Sequence, residues 1–235
     1  ILLALGSAVF LACSPRKDGF VNRKYQGFTT QYNVLFNGQE ALKSELTNRE
    51  KSYKDNFYAP YIKLLTYEEQ ASASTMDNLG FTPNTEGVPP SDFFRDDAPD
   101  NSSGNTGNTA GALQVAEIKA LKAIEKHSML FNGKEKNKKI FDAYLLLAKA
   151  RLFQGKALEA LDAINTLKKN FPKDKRLNLA KIYEAYAYGK MGDFYQSDES
   201  FRDLKKEKLK KSDKKLLSLF YSEILLESGK KEDAI

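Results

Sequence analysis

Apolar and polar positions divide this chain into stretches with different periods. Residues 20–54 read as two helices. Tyr25, Phe28, Tyr32 and Leu35 recur at spacings of three and four, which places them on one helical face, and Leu42 and Leu46 form an opposing stripe. Asn37-Gly38 between the two runs predicts a turn, and Pro60 in "FYAPYIKLL" marks a helix start. From Ala112 to the end the pattern is helical again, with Val115, Ile118, Leu121 (or Ala120) and Ile124 on one face of the first segment.

A longer period runs through the C-terminal half. Gly155, Gly192 and Gly229 are 37 residues apart. Small residues accompany them in register: Ala148, Ala185 and Ser222 seven positions before, Ala160, Ser197 and Ala234 five positions after. Leu145, Ile182 and Leu219 share another register position, as do Ile164 and Phe201. Recurrence on this scale is the mark of a solenoid of helical hairpins. Glycine ends the first helix of each hairpin, where a positive φ is needed, and small side chains sit where two helices come closest. The arrangement resembles the tetratricopeptide repeat, whose usual length is about 34 residues. The extra residues fall in "KDKRLN", between hairpins. Glu184 at a position normally apolar, and Leu209 where proline is usual, depart from the pattern.

Between the two helical regions, residues 66–111 have no helical period. They hold four of the seven prolines, the tract "DNSSGNTGNTAGA" and the acidic "SDFFRDDAPD", and read as a flexible acidic linker. Asp92, Asp96, Asp97 and Asp100 lack the alternation and central glycine of a calcium loop. The expectation is therefore an all-α chain: a helical hairpin region at 20–65, the linker at 66–111, and a tetratricopeptide solenoid at 112–235 that continues beyond the given sequence.

The first segment changes what kind of protein this is. "ILLALGSAVFLA" is an apolar run of twelve residues, too short to cross a bilayer as a helix, which takes about 20. It fits the core of a secretory signal, which is about 7–15 residues long. It ends at Cys13, the only cysteine, so no internal disulfide is available. Phe10-Leu11-Ala12-Cys13 resembles the lipobox of bacterial lipoproteins. That resemblance implies removal of residues 1–12, a diacylglyceryl thioether on Cys13 and a tether over 13–19. Ser14 after the cysteine, with no aspartate there and no acidic run, implies an outer-membrane destination on the periplasmic face.

The net charge of +6 separates into +4 over residues 14–65, −7 over 66–111 and +9 over 112–235. Such a bipolar chain lacks the coherent basic face of a nucleic-acid binder. His127 is the sole histidine, and no nucleophile–base set, metal cluster or phosphate loop accompanies it, so no enzymatic role, cofactor or small-molecule substrate is expected.

The lipobox, "FTTQYNVLFNGQEALK" and "AEIKALKAIEKHSMLFNGKEKNKKIFDAYLLLAKARLFQGKALEAL" together are similar to the SprE/PorW lipoproteins of the type IX secretion and gliding machinery. The resemblance implies an outer-membrane-anchored scaffold that contacts other secretion components. The partner surface expected of a solenoid is its concave groove, with Leu145, Lys149, Ile182, Tyr186, Leu219 and Glu223 as candidate lining. The basic run 205–215, "KKEKLKKSDKK", reads as a solvated inter-helix segment or a contact for an acidic partner or anionic lipid. Two other scaffold roles fit the same pattern: a glycan-binding lipoprotein of the SusD type, disfavoured by the absence of tryptophan, and an outer-membrane protein assembly scaffold.

Overall fold

The computed structural model describes residues 19–54, 58, 111–230 and 232–234. Cys13, the signal segment 1–12, most of the tether 13–19 and nearly all of the linker 66–111 lie outside the described residues. The chain is mostly helical. Helix α1 (Phe20–Thr29) runs through a π-helical stretch (Thr30–Leu35) into α2 (Phe36–Ser52). Then come α3 (Ala112–His127), a two-stranded antiparallel hairpin of β1 (Leu130–Phe131) and β2 (Lys134–Glu135), α4 (Lys139–Phe153), α5 (Ala157–Asn170), α6 (Leu177–Lys190), α7 (Phe194–Lys206), α8 (Lys211–Glu227) and a short 3-10 turn (Glu232–Ala234).

The three register glycines end α4, α6 and α8 in one local geometry. Their φ angles are 80°, 84° and 82°, in the left-handed region that glycine enters without steric cost. At each, the glycine N–H donates three residues back and the following N–H donates five residues back. The pairs are Gly155 to Leu152 and Lys156 to Arg151, Gly192 to Gly189 and Asp193 to Tyr188, Gly229 to Leu226 and Lys230 to Leu225. This double bond satisfies the carbonyls that a helix end leaves open. The chain then reverses, packing α4 on α5 and α6 on α7, with α5 against α6 and α7 against α8. The small register residues lie at these contacts: Ala148, Ala160, Ala185 and Ser197 are fully buried, and Ser197 Oγ donates to the Ala185 carbonyl at 2.7 Å. Glu184, apolar in the usual pattern, is buried and held by Lys168 of α5 at 2.7 Å.

The N-terminal region differs from expectation. No turn forms at Asn37-Gly38; residues 20–52 are one helical run. Gly38 is buried where α2 meets α3 and α4, and a Cβ there would lie 2.8 Å from Leu146 Cδ2 and 3.1 Å from Lys119 Cβ. Glycine serves close approach here. Helix α2 packs on α3, α3 on α4, and α2 more lightly on α4, the same relations that α4, α5 and α6 have. Residues 20–52 and 112–127 thus supply the two helices of a first hairpin, and the acidic stretch intervenes within that hairpin. One apolar core extends from Val34 to Leu225.

In α3 the core face is Leu113, Ala116, Ala120 and Ala123, while Leu121 is exposed and Val115 and Ile118 are half-buried. Alanines let α3 sit close to both α2 and α4. The chain is also not helical throughout beyond Ala112. Asn132 and Gly133, with φ of 50° and 70°, form the tight turn of the β-hairpin. Its buried Glu135 accepts from Ser128 Oγ at 2.5 Å and from the Met129 and Asn137 N–H groups at 2.8 Å each. Asn137 Nδ2 donates onward to Thr30 Oγ1 (3.0 Å) and the His127 carbonyl (2.9 Å), and its Oδ1 accepts the Lys139 N–H at the start of α4.

Candidate partner-binding groove

The first helices of successive hairpins, α2, α4, α6 and α8, line one side of the stack. An open groove of about 670 Å³ lies there. Helix α2 supplies Leu42, Lys43, Leu46 and Glu50, α4 supplies Asp142, Leu145 and Lys149, and Leu219 of α8 closes the far wall. Leu219, on α8, thus shares this groove with residues of α2 and α4. Leu219 is 51% exposed, an apolar side chain held at the rim.

Several charges here are already positioned. Asp142 accepts from Arg176 Nη1 at 2.7 Å, and the Arg176 guanidinium lies 4.0 Å over the Phe141 ring while also pairing with Asp174. Those hydrogen bonds from Arg176 hold the Asp174 carboxyl below its ordinary range, against the opposing effect of burial. Lys149 Nζ stands 4.9 Å over the Tyr183 ring, which orients the ammonium along the floor. Beside Leu219, the start of α8 adds Lys211, Lys214 and Lys215 around a second depression of about 560 Å³. The apolar floor therefore has a basic end. These lysines come from the run 205–215, whose remainder closes α7 and forms the exposed inter-helix segment, with Lys206 paired to Asp203.

Of the six residues expected in the groove, Leu145, Lys149 and Leu219 line it. Ile182, Tyr186 and Glu223 do not; all three are buried. Tyr186 stacks on Phe220 with ring centroids 4.0 Å apart, and its hydroxyl donates to Glu223 Oε2 at 2.8 Å. Glu223 Oε1 receives Lys190 Nζ at 2.9 Å, and Lys190 also pairs with Glu227. With Lys190 and Glu223 side chains 5% and 3% exposed, this network clamps two neighbouring helices and is out of reach of a partner. The aromatic and carboxylate at the shared register position satisfy each other.

The α2 wall was missed by sequence reasoning. The sequence pattern places Leu42 and Leu46 on a stripe opposing Tyr25, Phe28, Tyr32 and Leu35, and no local signal joins them to Leu145 across the acidic stretch. His127 ends α3, with Nδ1 2.7 Å from Gln26 Oε1, as part of the contact that docks α1. No family model matches this chain, and no curated protein matches it.

Proposed function

We propose that this chain is a non-enzymatic tetratricopeptide scaffold lipoprotein of the type IX secretion apparatus, anchored through Cys13 to the periplasmic face of the outer membrane. It holds other secretion components in its groove. Supporting the repeat assignment are the three glycine-ended helices, α4, α6 and α8, which share one capping geometry at a fixed spacing. The observation that carries the binding role is the groove itself: an open depression over the buried Leu42 and Leu145 and the half-buried Leu46, ending at the exposed Leu219 beside three lysines. Such a surface suits an extended or helical segment with apolar anchors and an acidic end. The anchor reading rests on the lipobox likeness. No helix among the described residues is long and apolar enough to cross a membrane.

Two measurements test the reading. A gene-deletion strain is expected to lose bulk protein secretion while retaining glycan uptake; the reverse outcome overturns it in favour of a glycan-binding lipoprotein. Photo-crosslinking from Lys43 and Leu219 in the living cell is expected to trap the same secretion component, whereas crosslinks from neither position refute the groove as the binding surface.

A further inference from the structure

Helix α1 is docked by its polar side. Asn22, Gln26 and Thr30 are buried, Gln26 against His127 and Thr30 against Asn137. The apolar residues consequently face out: Phe20, Val21, Tyr25, Phe28, Tyr32 and Phe36 are between 46% and 72% exposed. Phe28 and Tyr32 touch, with ring centroids 4.6 Å apart. The stripe continues through the π-helical stretch into α2, a length of about 24 Å at 1.5 Å per residue. A run of large apolar groups on one exposed helix face marks an interaction surface.

What covers it is indicated by its flank. A cleft of about 620 Å³ separates the stripe from residues 136–139, and Phe20, Phe28 and Tyr32 share it with Arg23, Lys24 and Lys138. Lys136 and Lys139 also line it, and among the described lining residues there is no carboxylate; Lys139 leans toward Asp142 at 4.0 Å. Lys24 Nζ lies 5.7 Å from the Phe20 ring centre. From Gly19 to Gln39 the sequence contains no acidic residue. Aromatic rings that enter the acyl boundary, with lysine and arginine at headgroup level, are the chemistry of an interfacial helix.

We propose that this face of α1 lies on an anionic phospholipid surface. The proposal builds on the lipid-anchor reading: Cys13 is seven residues before Phe20, so an acylated cysteine holds the helix within about 25 Å of the bilayer. The diacylglyceryl group keeps the protein on the membrane, and the basic aromatic face adds a second contact that sets how the protein lies there. Docking in this way fixes the orientation of the hairpin stack relative to the membrane, beyond what attachment at Cys13 alone achieves.

Residues 1–235 contain no tryptophan, and any outside them is replaced by phenylalanine, so an introduced indole reports alone. Full-length protein purified from membranes is reconstituted into vesicles of phosphatidylcholine and phosphatidylglycerol with brominated acyl chains. The Phe28→Trp variant places the sole indole on the face; Tyr195→Trp, at a site 80% exposed on α7, is the control. The expected result is that the Phe28→Trp protein loses most of its emission and the Tyr195→Trp protein keeps its own. Adding Lys24→Glu and Lys138→Glu should restore most of the lost emission while the protein still sediments with the vesicles. Sedimenting protein whose Phe28→Trp indole stays as bright as the control overturns the proposal, leaves the anchor intact and assigns the face to a protein partner. Quenching of a protein whose mature N-terminus is unacylated by mass spectrometry supports the face and removes the anchor. Neither sedimentation nor quenching refutes both.

Discussion

Gly189 and Gly192 stand three positions apart in the sequence and are glycine for different reasons, which a double-mutant cycle separates. Gly189 lies inside α6 at the contact with α8. A Cβ there would fall 2.7 Å from Ile224 Cγ1 and 2.9 Å from Ile224 Cγ2, and closer still to Cδ1. Because both branches at the β-carbon are involved, no single rotamer change of this buried isoleucine clears the space. Overpacking of this kind costs about 1–3 kcal/mol. Alanine in place of glycine returns up to about 1 kcal/mol through helix propensity. The net expectation for Gly189→Ala is a destabilisation of about 0–2 kcal/mol. Ile224→Ala alone leaves a cavity and costs about 2–5 kcal/mol. In that background the added methyl meets open space, so Gly189→Ala should become stabilising, giving a favourable coupling of about 1–3 kcal/mol. Urea denaturation followed by helical circular dichroism reads all four proteins. An equal midpoint shift in both backgrounds would show that α6 and α8 are not in contact at this point, and the packing argument would fall.

Other expectations concern separate parts of the molecule. Gly192→Ala meets no neighbour within 4 Å, so its cost is the left-handed backbone alone, about 1–2 kcal/mol, with Gly192→Asn milder; thermal melts check the order. Lys190→Met strands the buried Glu223 carboxylate and should cost about 3–5 kcal/mol, whereas Tyr186→Phe loses one hydrogen bond, about 1 kcal/mol; comparable denaturation midpoints would refute the clamp. Burial raises the Glu117 pKa, but hydrogen bonds from Arg151, Gln154 and Lys156 together bring it below its ordinary value of 4.5. A lowered carboxylate stabilises the fold above its unfolded pKa and loses that contribution as pH falls through the folded value. The melting-temperature gap between wild type and Glu117→Gln should therefore be full at neutral pH and shrink in acid; a constant gap contradicts the assignment. Leu219→Lys, at an exposed rim position, should change stability by no more than about 0.5 kcal/mol yet weaken partner capture; unchanged capture argues against the groove.

The repeat was legible because each of its marks answers a local need. A helix that must reverse requires a residue with positive φ, and glycine meets that at 155, 192 and 229 whatever surrounds it. Small residues at fixed offsets then followed from how near two helices can come. The inward and outward assignment of side chains was less legible, because it depends on neighbours. Tyr25, Phe28 and Tyr32 form the apolar stripe of α1, but the polar network of His127 and Asn137 captures the opposite side and turns them outward. Tyr186 and Glu223 share the register of Lys149, yet they meet across 37 residues and bury each other. Lys149 instead lies over the Tyr183 ring of α6 and stays at the groove.

The clearest case is a tetrapeptide that occurs twice. Leu-Phe-Asn-Gly stands at 35–38, followed by Gln39-Glu40, and again at 130–133, followed by Lys134-Glu135. At the second site Asn132-Gly133 makes a hairpin turn, as its composition predicts. At the first the same residues are helical, with Leu35 fully buried and Gly38 pressed on Leu146. By itself the sequence determined the helical period, the glycine-ended hairpins and their spacing, since these are satisfied within a few residues. Only the tertiary structure decided whether Asn-Gly turns or continues. The backbone preference of a dipeptide is worth about 1 kcal/mol, and burying a leucine with a close helix contact outweighs it.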